Sequence, residues 1–176
     1  MPISLYDAIV PSQRQIIAAV TTLVDKAAAH CRDRGEPEAA LIEARLAPDM
    51  LPFGYQVKSV AEHSRGSIEG VRAGVYSPSL DPWPDSMAGL TAKLRNADAF
   101  LAALDAAELD GFVGREMRFE FKDRRMDFAA EQFLLSFAQP NFYFHAATAY
   151  GILRAQGLAI GKRDFMGMPR LRQQPG

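Results

Sequence analysis

Hydrophobic residues recur along most of this chain at spacings of three and four, the pattern of amphipathic helices. Four stretches show it, at about residues 12–30, 52–73, 87–104 and 140–156. The second of them carries a seam of apolar or small residues at Val57, Ala61, Ser64, Ile68 and Val71. The pattern therefore predicts four long helices, and the connections between them are short enough for neighbours to run antiparallel.

A different period separates the third and fourth stretches. Met117, Phe119 and Phe121 alternate with charged residues, and so do Met126 and Phe128 after a turn near Asp123. A period of two predicts a β-hairpin, and a lone hairpin is marginally stable in water. Its apolar face is therefore expected to lie on the helices or on a partner subunit. The predicted fold is all-α, an antiparallel four-helix bundle with a small β-hairpin inserted before the last helix.

Capping residues and prolines predict where the helices begin and bend. Ser4, with Asp7 three residues on, predicts a helix start, and Pro11 predicts a kink or restart soon after it. Asp85 or Ser86 is the expected cap of the third long helix. Asp127 is expected to cap a short helical run. This run meets Pro140 and continues, either broken or kinked, as the last helix. Trp83, between two prolines, is expected to pack as a lid on one end of the bundle. Residues 1–168 are predicted to form one domain, with a frayed tail at 169–176.

Charge and composition exclude several classes of function. The formal net charge is -1, which gives no general attraction to nucleic acid or to an anionic membrane. Cys31 is the only cysteine, so an intrachain disulfide and thiolate metal sites are excluded, and a reducing compartment is favoured. No stretch approaches the ~20 apolar residues of a membrane span, and the N-terminus lacks the pattern of a signal peptide. The expected location is the cytoplasm.

Several short motifs occur in an order that resembles a known family. The chain resembles a bacterial domain-of-unknown-function family of the DinB/YfiT-like superfamily, over about residues 1–167. The motifs that carry the resemblance are Ser4-Leu-Tyr-Asp7, Leu46-Ala-Pro-Asp-Met50, Gln56-Val57, Pro140-Asn-Phe142, Phe144-His145, Thr148-Ala-Tyr150 and Gly161-Lys-x-Asp-Phe165.

The resemblance implies a four-helix bundle that is commonly a homodimer. Many members of the superfamily hold a divalent metal with three histidines, one on the second helix and two spaced by four on the last helix. Some members are thiol-dependent transferases or isomerases. Carried over to this chain, His145 occupies the first histidine position of the last helix, Ala149 stands where the second is expected, and His63 is the candidate from the second helix.

The metal pattern is therefore incomplete, because a catalytic zinc uses three protein ligands. At about 100° per residue, His63 lies away from the seam of its helix, so it is expected to face solvent or a flank of the bundle. A carboxylate from Glu62, Asp49 or Asp7 would complete a mixed site. A mixed site of histidine and carboxylate ligands is compatible with zinc, nickel or manganese.

Four residues are candidates for ligand binding: His145, Asn141, Tyr150 and Asp49. Each also has a structural interpretation. His145 is expected at the edge of the core, hydrogen-bonded to a neighbour, and its alternative role is ligand or general base. Asn141 is expected to satisfy free backbone groups, Tyr150 to find a hydrogen-bond partner, and Asp49 to cap the second helix. No residue is assigned a catalytic role.

Two functions remain open. The first is a homodimeric bundle with a ligand-binding or structural role and a degenerate metal site. The alternative is a divalent-metal-dependent enzyme of the thiol-transferase or isomerase kind that uses His145 and, as a second ligand, His63. The sequence does not decide whether the protein is an enzyme. A small-molecule ligand fits either interpretation, and a nucleic acid or a membrane fits neither.

Overall fold

The computed structural model describes residues 3–172, which are mostly helical with a small three-stranded sheet. The helices are α1 (Leu5–Arg34), α2 (Glu38–Ile42), α3 (Phe53–Ala61), α4 (Ser67–Ala73), α5 (Met87–Ala102), α6 (Ala106–Asp110), α7 (Ala130–Gln132), α8 (Gln139–Ala155) and α9 (Lys162–Met166). The strands are β1 (Val75–Tyr76), β2 (Glu116–Phe121) and β3 (Arg124–Ala129).

The long helical segments pack around one core. α1 lies on α5, α5 on α3, α3 on α8, and α8 on α1, while the short α9 packs against α1. All five residues of the predicted seam on the second helix are buried, as expected. α1 runs through Pro11 without interruption, so the predicted restart there is wrong. Pro11 lies in the second turn, where Leu5, Ile9 and Val10 are already buried, and this packing holds the helix together across the missing N–H.

The second long helix contains a wider, π-helical turn at Glu62–Gly66, between α3 and α4. A π-turn leaves carbonyl groups without their usual helical partners. Two buried serines bond to these carbonyls: Ser64 Oγ donates to Val60 O, and Ser67 Oγ donates to His63 O, both at 2.9 Å. The serine side chains therefore satisfy backbone groups inside the core at the point where the helix changes its pitch.

A second π-helical turn, Phe133–Ala138, precedes Pro140 and joins α7 to α8. Proline has no N–H and its ring clashes with the carbonyl four residues back, so a wider turn accommodates it. Helical structure therefore begins at Ala130 and continues to Ala155. The prediction that Asp127 caps this helical stretch is wrong, because Asp127 lies within β3 and Ala129 takes the cap position.

The predicted hairpin is confirmed. β2 and β3 pair antiparallel from Glu116 opposite Ala129 to Phe121 opposite Arg124, around a turn at Lys122 and Asp123. The sheet also has a third strand that the sequence analysis missed, β1, which pairs parallel to β2. Two residues are too short to show a period, and a proline-rich segment follows them.

The inner face of the hairpin packs on the chain's own helical segments, as expected. Phe119 and Phe128 contact Phe137, with ring centroids 4.8 and 6.0 Å apart. Phe133 stacks on Phe137 at 5.4 Å and is fully buried. This aromatic cluster fixes the sheet against the π-helical turn before α8.

Trp83 lies against the start of α3, in line with its predicted packing role. Its ring contacts the position where Gly54 lacks a side chain, and its Nε1 donates to Glu43 Oε1 at 2.8 Å. Within residues 3–172, no helix is both long enough and apolar enough to cross a membrane. Residues 169–172 of the predicted tail form no helix or strand, and 173–176 lie outside the described residues.

Gly70 is needed where α4 meets β1, and this gives a stability prediction. A Cβ at Gly70 would lie 2.7 Å from Tyr76 Cβ and 3.2 Å from its Cα, which is backbone and cannot turn away. We expect Gly70→Ala to lower the free energy of unfolding by about 1–3 kcal/mol. Gly66→Ala is the matched control, since its Cβ would meet only Tyr76 Cε2 at 3.7 Å. Urea denaturation measures both, and equal stability of the two variants would contradict the close contact.

Candidate functional site

The structure brings His63 and His145 together in the interior. Their rings are nearly parallel, at an interplanar angle of 15°, with centroids 5.4 Å apart. Each residue is only 9% exposed. Of the two orientations expected for His63, towards solvent or towards a flank of the bundle, the first is therefore wrong. The expected place of His145 at the edge of the core is confirmed.

Two features of the fold bury His63. It lies inside the π-helical turn, where the rotation per residue is smaller than in an α-helix, so an angle extrapolated at about 100° per residue no longer applies. The flank that it faces is also covered by Tyr76 of β1 and by Phe137, whose rings lie 5.9 and 6.3 Å from its own. Neither the π-turn nor β1 has a sequence signal that the periodicity registers.

Gln56 fixes the tautomer of His145. Gln56 Nε2 donates to Leu51 O at 2.8 Å, which identifies its other amide atom as the oxygen. That oxygen, Oε1, lies 2.7 Å from His145 Nδ1. Since an amide oxygen only accepts, His145 carries its proton on Nδ1 and presents a lone pair on Nε2. The predicted hydrogen bond of His145 to a neighbour is thereby confirmed, with Gln56 as the partner.

Two polar atoms beside this bond have no partner among the described residues. They are His63 Nδ1 and the hydroxyl oxygen of Tyr76, and both are fully shielded from solvent. Tyr76 itself is 5% exposed. A buried polar group left without a hydrogen bond costs about 1–3 kcal/mol. These two atoms are therefore positions at which a buried water molecule or another polar group would be stabilised.

Burial keeps both imidazoles neutral. Burial, and secondarily the neighbouring His145, lower the pKa of His63 to about 3. Burial alone lowers the pKa of His145 to about 4. The pKa of the Tyr76 phenol is raised by burial and by the nearby Glu62 carboxylate. At neutral pH the cluster therefore holds two neutral rings and one protonated hydroxyl, a set of hydrogen-bonding groups without net charge.

These lowered pKa values predict a loss of stability in mild acid. In the unfolded chain each histidine has a pKa near 6.5 and is protonated below that pH. In the folded chain the same two rings stay neutral until the pH falls to about 3 to 4. The free energy of unfolding should therefore fall from pH 6.5 downward, by up to about 2.7 kcal/mol per pH unit for two groups. The raised pKa of Glu62 acts in the opposite direction, at lower pH.

Urea denaturation between pH 8 and 5 measures this loss. In a His63→Phe variant one of the two groups is absent, so the slope below pH 6.5 should be about half that of the wild type. A wild-type stability that stays constant from pH 7 to 5 would show that the two rings titrate normally in the folded protein.

A buried lysine, Lys58, lies on the same helical stretch as His63, five residues before it. Lys58 is 1% exposed, and its Nζ donates to the carbonyls of Ser79 and Asp81, at 2.9 and 2.5 Å. It also lies 3.4 Å from Glu62 Oε1, which Lys93 approaches at 4.0 Å. Sequence analysis did not single out this lysine. Lys58 lies between Val57 and Ala61 in the sequence but is not part of the apolar seam, so the hydrophobic pattern does not predict that it is buried.

The other sequence-predicted ligand residues do not join the histidine pair. Asn141 Nδ2 donates to Phe137 O at 2.8 Å, which confirms that it satisfies a backbone group. The Tyr150 ring packs on Phe165 of α9, with centroids 6.0 Å apart. Asp49 is exposed in a turn. The prediction that it caps the second long helix is wrong, because Pro52 takes the cap position of α3.

The residues present do not fit a complete metal site built by the protein alone. Among residues 3–172, no three His, Cys, Asp or Glu side chains lie close enough to hold one ion. Of the carboxylates considered for a mixed site, Glu62 faces the two lysines, and Asp49 and Asp7 are exposed. The histidine pair would offer at most two of the three protein ligands that a catalytic metal needs.

A cavity of about 370 Å³ opens beside the cluster. Tyr76 and Glu62 line it together with Glu69 and Ser77, but neither histidine reaches it. A larger concavity, of about 820 Å³, lies along the sheet, and neither histidine lines it. Tyr76 connects the smaller cavity to the histidine pair, because it lines the cavity and its ring lies against that of His63.

Comparisons with known proteins show a match to one family and a likeness in fold to a solved structure. The model described as Domain of unknown function (DUF1993) matches residues 5–166. The crystal structure of a DinB family member protein from Shewanella denitrificans superposes with a TM-score of 0.79 at 22% identity, over 97% of this chain and 96% of that one. No curated protein matches the chain. The predicted resemblance to a domain-of-unknown-function family with a DinB-type fold is confirmed.

Proposed function

The chain belongs to the family described as a domain of unknown function, DUF1993, and from that premise we propose that it is a DinB-like bundle protein that binds a small polar ligand at the His63–His145 pair. In this proposal the metal site of the superfamily is degenerate, and the protein works as a homodimer in the cytoplasm. The observation that carries the proposal is the pair of unpaired buried atoms, His63 Nδ1 and the Tyr76 hydroxyl, beside the two rings.

The bundle itself is part of the proposal. α1, α5, α8 and the helix formed by α3, the first π-turn and α4 contact one another in a closed ring. We infer that they form an antiparallel four-helix bundle, which the likeness in fold to the DinB family member supports. Ligand sites of such bundles lie between facing helices, which is where the two histidines meet.

The chemistry of the cluster defines the ligand class. Both rings are neutral at pH 7, so they offer an anion no charge. His145 Nε2 accepts a hydrogen bond, because Nδ1–H is engaged by Gln56. The phenol of Tyr76 stays protonated and donates. A ligand that carries both a donor and an acceptor within a few atoms, such as an amide or an alcohol, satisfies these groups.

Histidine side-chain NMR tests this proposal on the wild-type protein labelled with ¹⁵N. Acetamide and methanol serve as probes of the two chemical classes. At least one should shift the ring nitrogens of both histidines in a saturable titration. Tyr76→Phe should weaken that binding about tenfold, the effect of one lost hydrogen bond of about 1.4 kcal/mol.

Tyr150→Phe is the matched control, since Tyr150 lies on α8 but packs on Phe165. It should bind the probe as the wild type does. If no probe shifts either histidine, or if both tyrosine variants bind equally well, the ligand site at the histidine pair is refuted.

One observation favours the alternative, a divalent-metal-dependent enzyme of the thiol-transferase or isomerase kind. His145 presents a free lone pair on Nε2 while its Nδ1–H is held by Gln56, the arrangement that second-shell hydrogen bonds give to metal-binding histidines. Metal content of the untagged protein, measured by mass spectrometry after incubation with zinc, nickel and manganese, separates the two functions. Stoichiometric metal that is lost in His145→Ala would support a mixed-ligand metal site and justify an assay of thiol-dependent chemistry, whereas no metal would refute the alternative.

The homodimer rests on the resemblance and on one structural feature. β3 pairs with β2 along one edge, and its other edge has no partner strand within residues 3–172. An unpaired strand edge is a template for pairing with another chain.

A further inference from the structure

We propose that two copies of the protein pair through the free edges of their β3 strands, antiparallel across a two-fold axis at Met126. The inference deepens the homodimer proposed above and rests on it. The direction of the backbone groups of β3, the order of charges along the strand and the exposure of Met126 all favour this pairing.

The hairpin register shows which backbone groups of β3 point outward. Arg118 of β2 donates its N–H to Gly74 O, on the side of β1 and away from β3, at 2.9 Å. Its opposite residue, Asp127, therefore belongs to a non-hydrogen-bonded pair of the hairpin. The N–H and C=O of Asp127 consequently point to the free edge, and the same alternation directs those of Arg125 outward.

These outward groups restrict how two β3 edges can pair. Two-fold antiparallel pairing can be centred on Arg125, on Met126 or on Asp127. The first places Arg125 opposite its own copy, and the third places Asp127 opposite its own copy, so both set like charges against each other. The register centred on Met126 places Arg125 opposite the partner's Asp127, and by symmetry Asp127 opposite the partner's Arg125. Only this register matches the charges.

The charges within each hairpin extend this match across the outer face of the sheet. Arg118 pairs with Asp127 at 2.6 Å, and Glu120 lies 3.6 Å from Arg125. Pairing through Met126 therefore aligns a row of four alternating charges, in the order Arg118, Asp127, the partner's Arg125 and the partner's Glu120. The side chains of Arg125 and Asp127 are 71% and 73% exposed in one copy, so both are available.

The inner face of the strand fits the same axis. Met126 is 38% exposed although it lies on the side of the hairpin that packs on the helices. At the axis the two Met126 side chains contact each other and become covered. Arg124 lies opposite the partner's Phe128, a position where a guanidinium packs on an aromatic ring.

The pairing adds four backbone hydrogen bonds but a small area, because each edge contributes about five residues. A small interface of this kind predicts a dimer that depends on protein concentration. Its exposed ion pairs predict that it weakens when salt is raised from 0.05 to 1 M.

Disulfide trapping tests the geometry on the full chain. At the axis, two residues of a non-hydrogen-bonded pair have Cα atoms about 4.5 Å apart, within the range that a disulfide spans. The Met126→Cys variant should therefore form a covalent dimer under mild oxidation, at least tenfold faster than Arg124→Cys. Arg124 is the matched control, an exposed neighbour on the same strand that faces Phe128 rather than its own copy. Peptide mass spectrometry distinguishes the engineered link from any formed by native Cys31.

A proline variant tests the backbone pairing without a new thiol. Arg125 N–H points to the free edge, so Arg125→Pro removes two of the four backbone bonds between copies, one from each copy, and no backbone bond within the hairpin. Analytical ultracentrifugation should show loss of the dimer with an unchanged circular dichroism spectrum.

The outcomes separate this inference from the proposed function. A dimer in which Met126→Cys and Arg124→Cys cross-link equally slowly refutes the β3 interface and leaves the homodimer. A monomer at every concentration refutes both, and neither result affects the histidine site, which the probe titrations test independently.

Discussion

Replacing Lys58 by alanine is expected to lower the free energy of unfolding by about 3–5 kcal/mol, as for other buried charges that lose a partner. Lys58 Nζ satisfies the carbonyls of Ser79 and Asp81 inside the protein. Without the ammonium, both carbonyls and the partly buried Glu62 lose their nearest donor. In a chain of this length such a loss corresponds to a fall in Tm of about 10 °C, which differential scanning calorimetry measures.

Lys93→Ala is the matched control for this prediction. Lys93 approaches the same carboxylate, Glu62, at 4.0 Å, but its side chain is 38% exposed. The expected loss is about 0–1 kcal/mol, the range of exposed ion pairs. If the two alanine variants were equally stable, Lys58 would not support the segment that carries Ser79 and Asp81.

Phe133→Ala is expected to cost about 3–5 kcal/mol, the range of fully buried aromatic residues. Phe133 has no exposed surface and lies in the π-helical turn before α8. Its ring contacts Tyr76, Phe128 and Phe137, with centroids 5.4 to 5.8 Å apart. Truncation leaves a cavity between the sheet and the helices, so the hairpin should lose its packing together with the core. Urea denaturation measures the loss.

Phe144→Ala, eleven residues further along the same helical stretch, is the control. Phe144 is 58% exposed, and a surface substitution usually changes stability by less than about 0.5 kcal/mol. A comparable loss at both positions would indicate that the aromatic cluster around Phe133 does not hold the sheet in place.

The elements that repeat over many residues were predictable from the sequence. The period of three and four identified the long helices, and the alternation around Phe119 and Phe128 identified the hairpin, because each pattern extends over several turns or pairs. Residue type limited the cap of the third long helix to Asp85 or Ser86, and the structure shows Ser86, whose Oγ accepts from Gly89 N at 3.2 Å. Local preference and burial agree at these positions.

The candidate site was only partly predictable, because it depends on contacts between distant residues. Gln56 and His145 are 89 residues apart, and the amide orientation that fixes the tautomer is set by a backbone carbonyl, that of Leu51. His63 was misplaced because a π-turn changes the angular position of a side chain without changing the hydrophobic period. Tyr76 went unnoticed because β1 has two residues and its partner strand lies about forty residues further on.

The protonation of the two histidines tests the site most directly. Ring ¹⁵N shifts of the wild-type protein, followed from pH 8 to pH 5, report charge and tautomer for each histidine separately. If His63 and His145 form the buried neutral pair, both stay neutral throughout, and His145 carries its proton on Nδ1 with Nε2 free. Gln56→Ala should remove that tautomer preference. A ring that titrates near pH 6.5, or a His145 protonated on Nε2, would contradict the pair as the binding site.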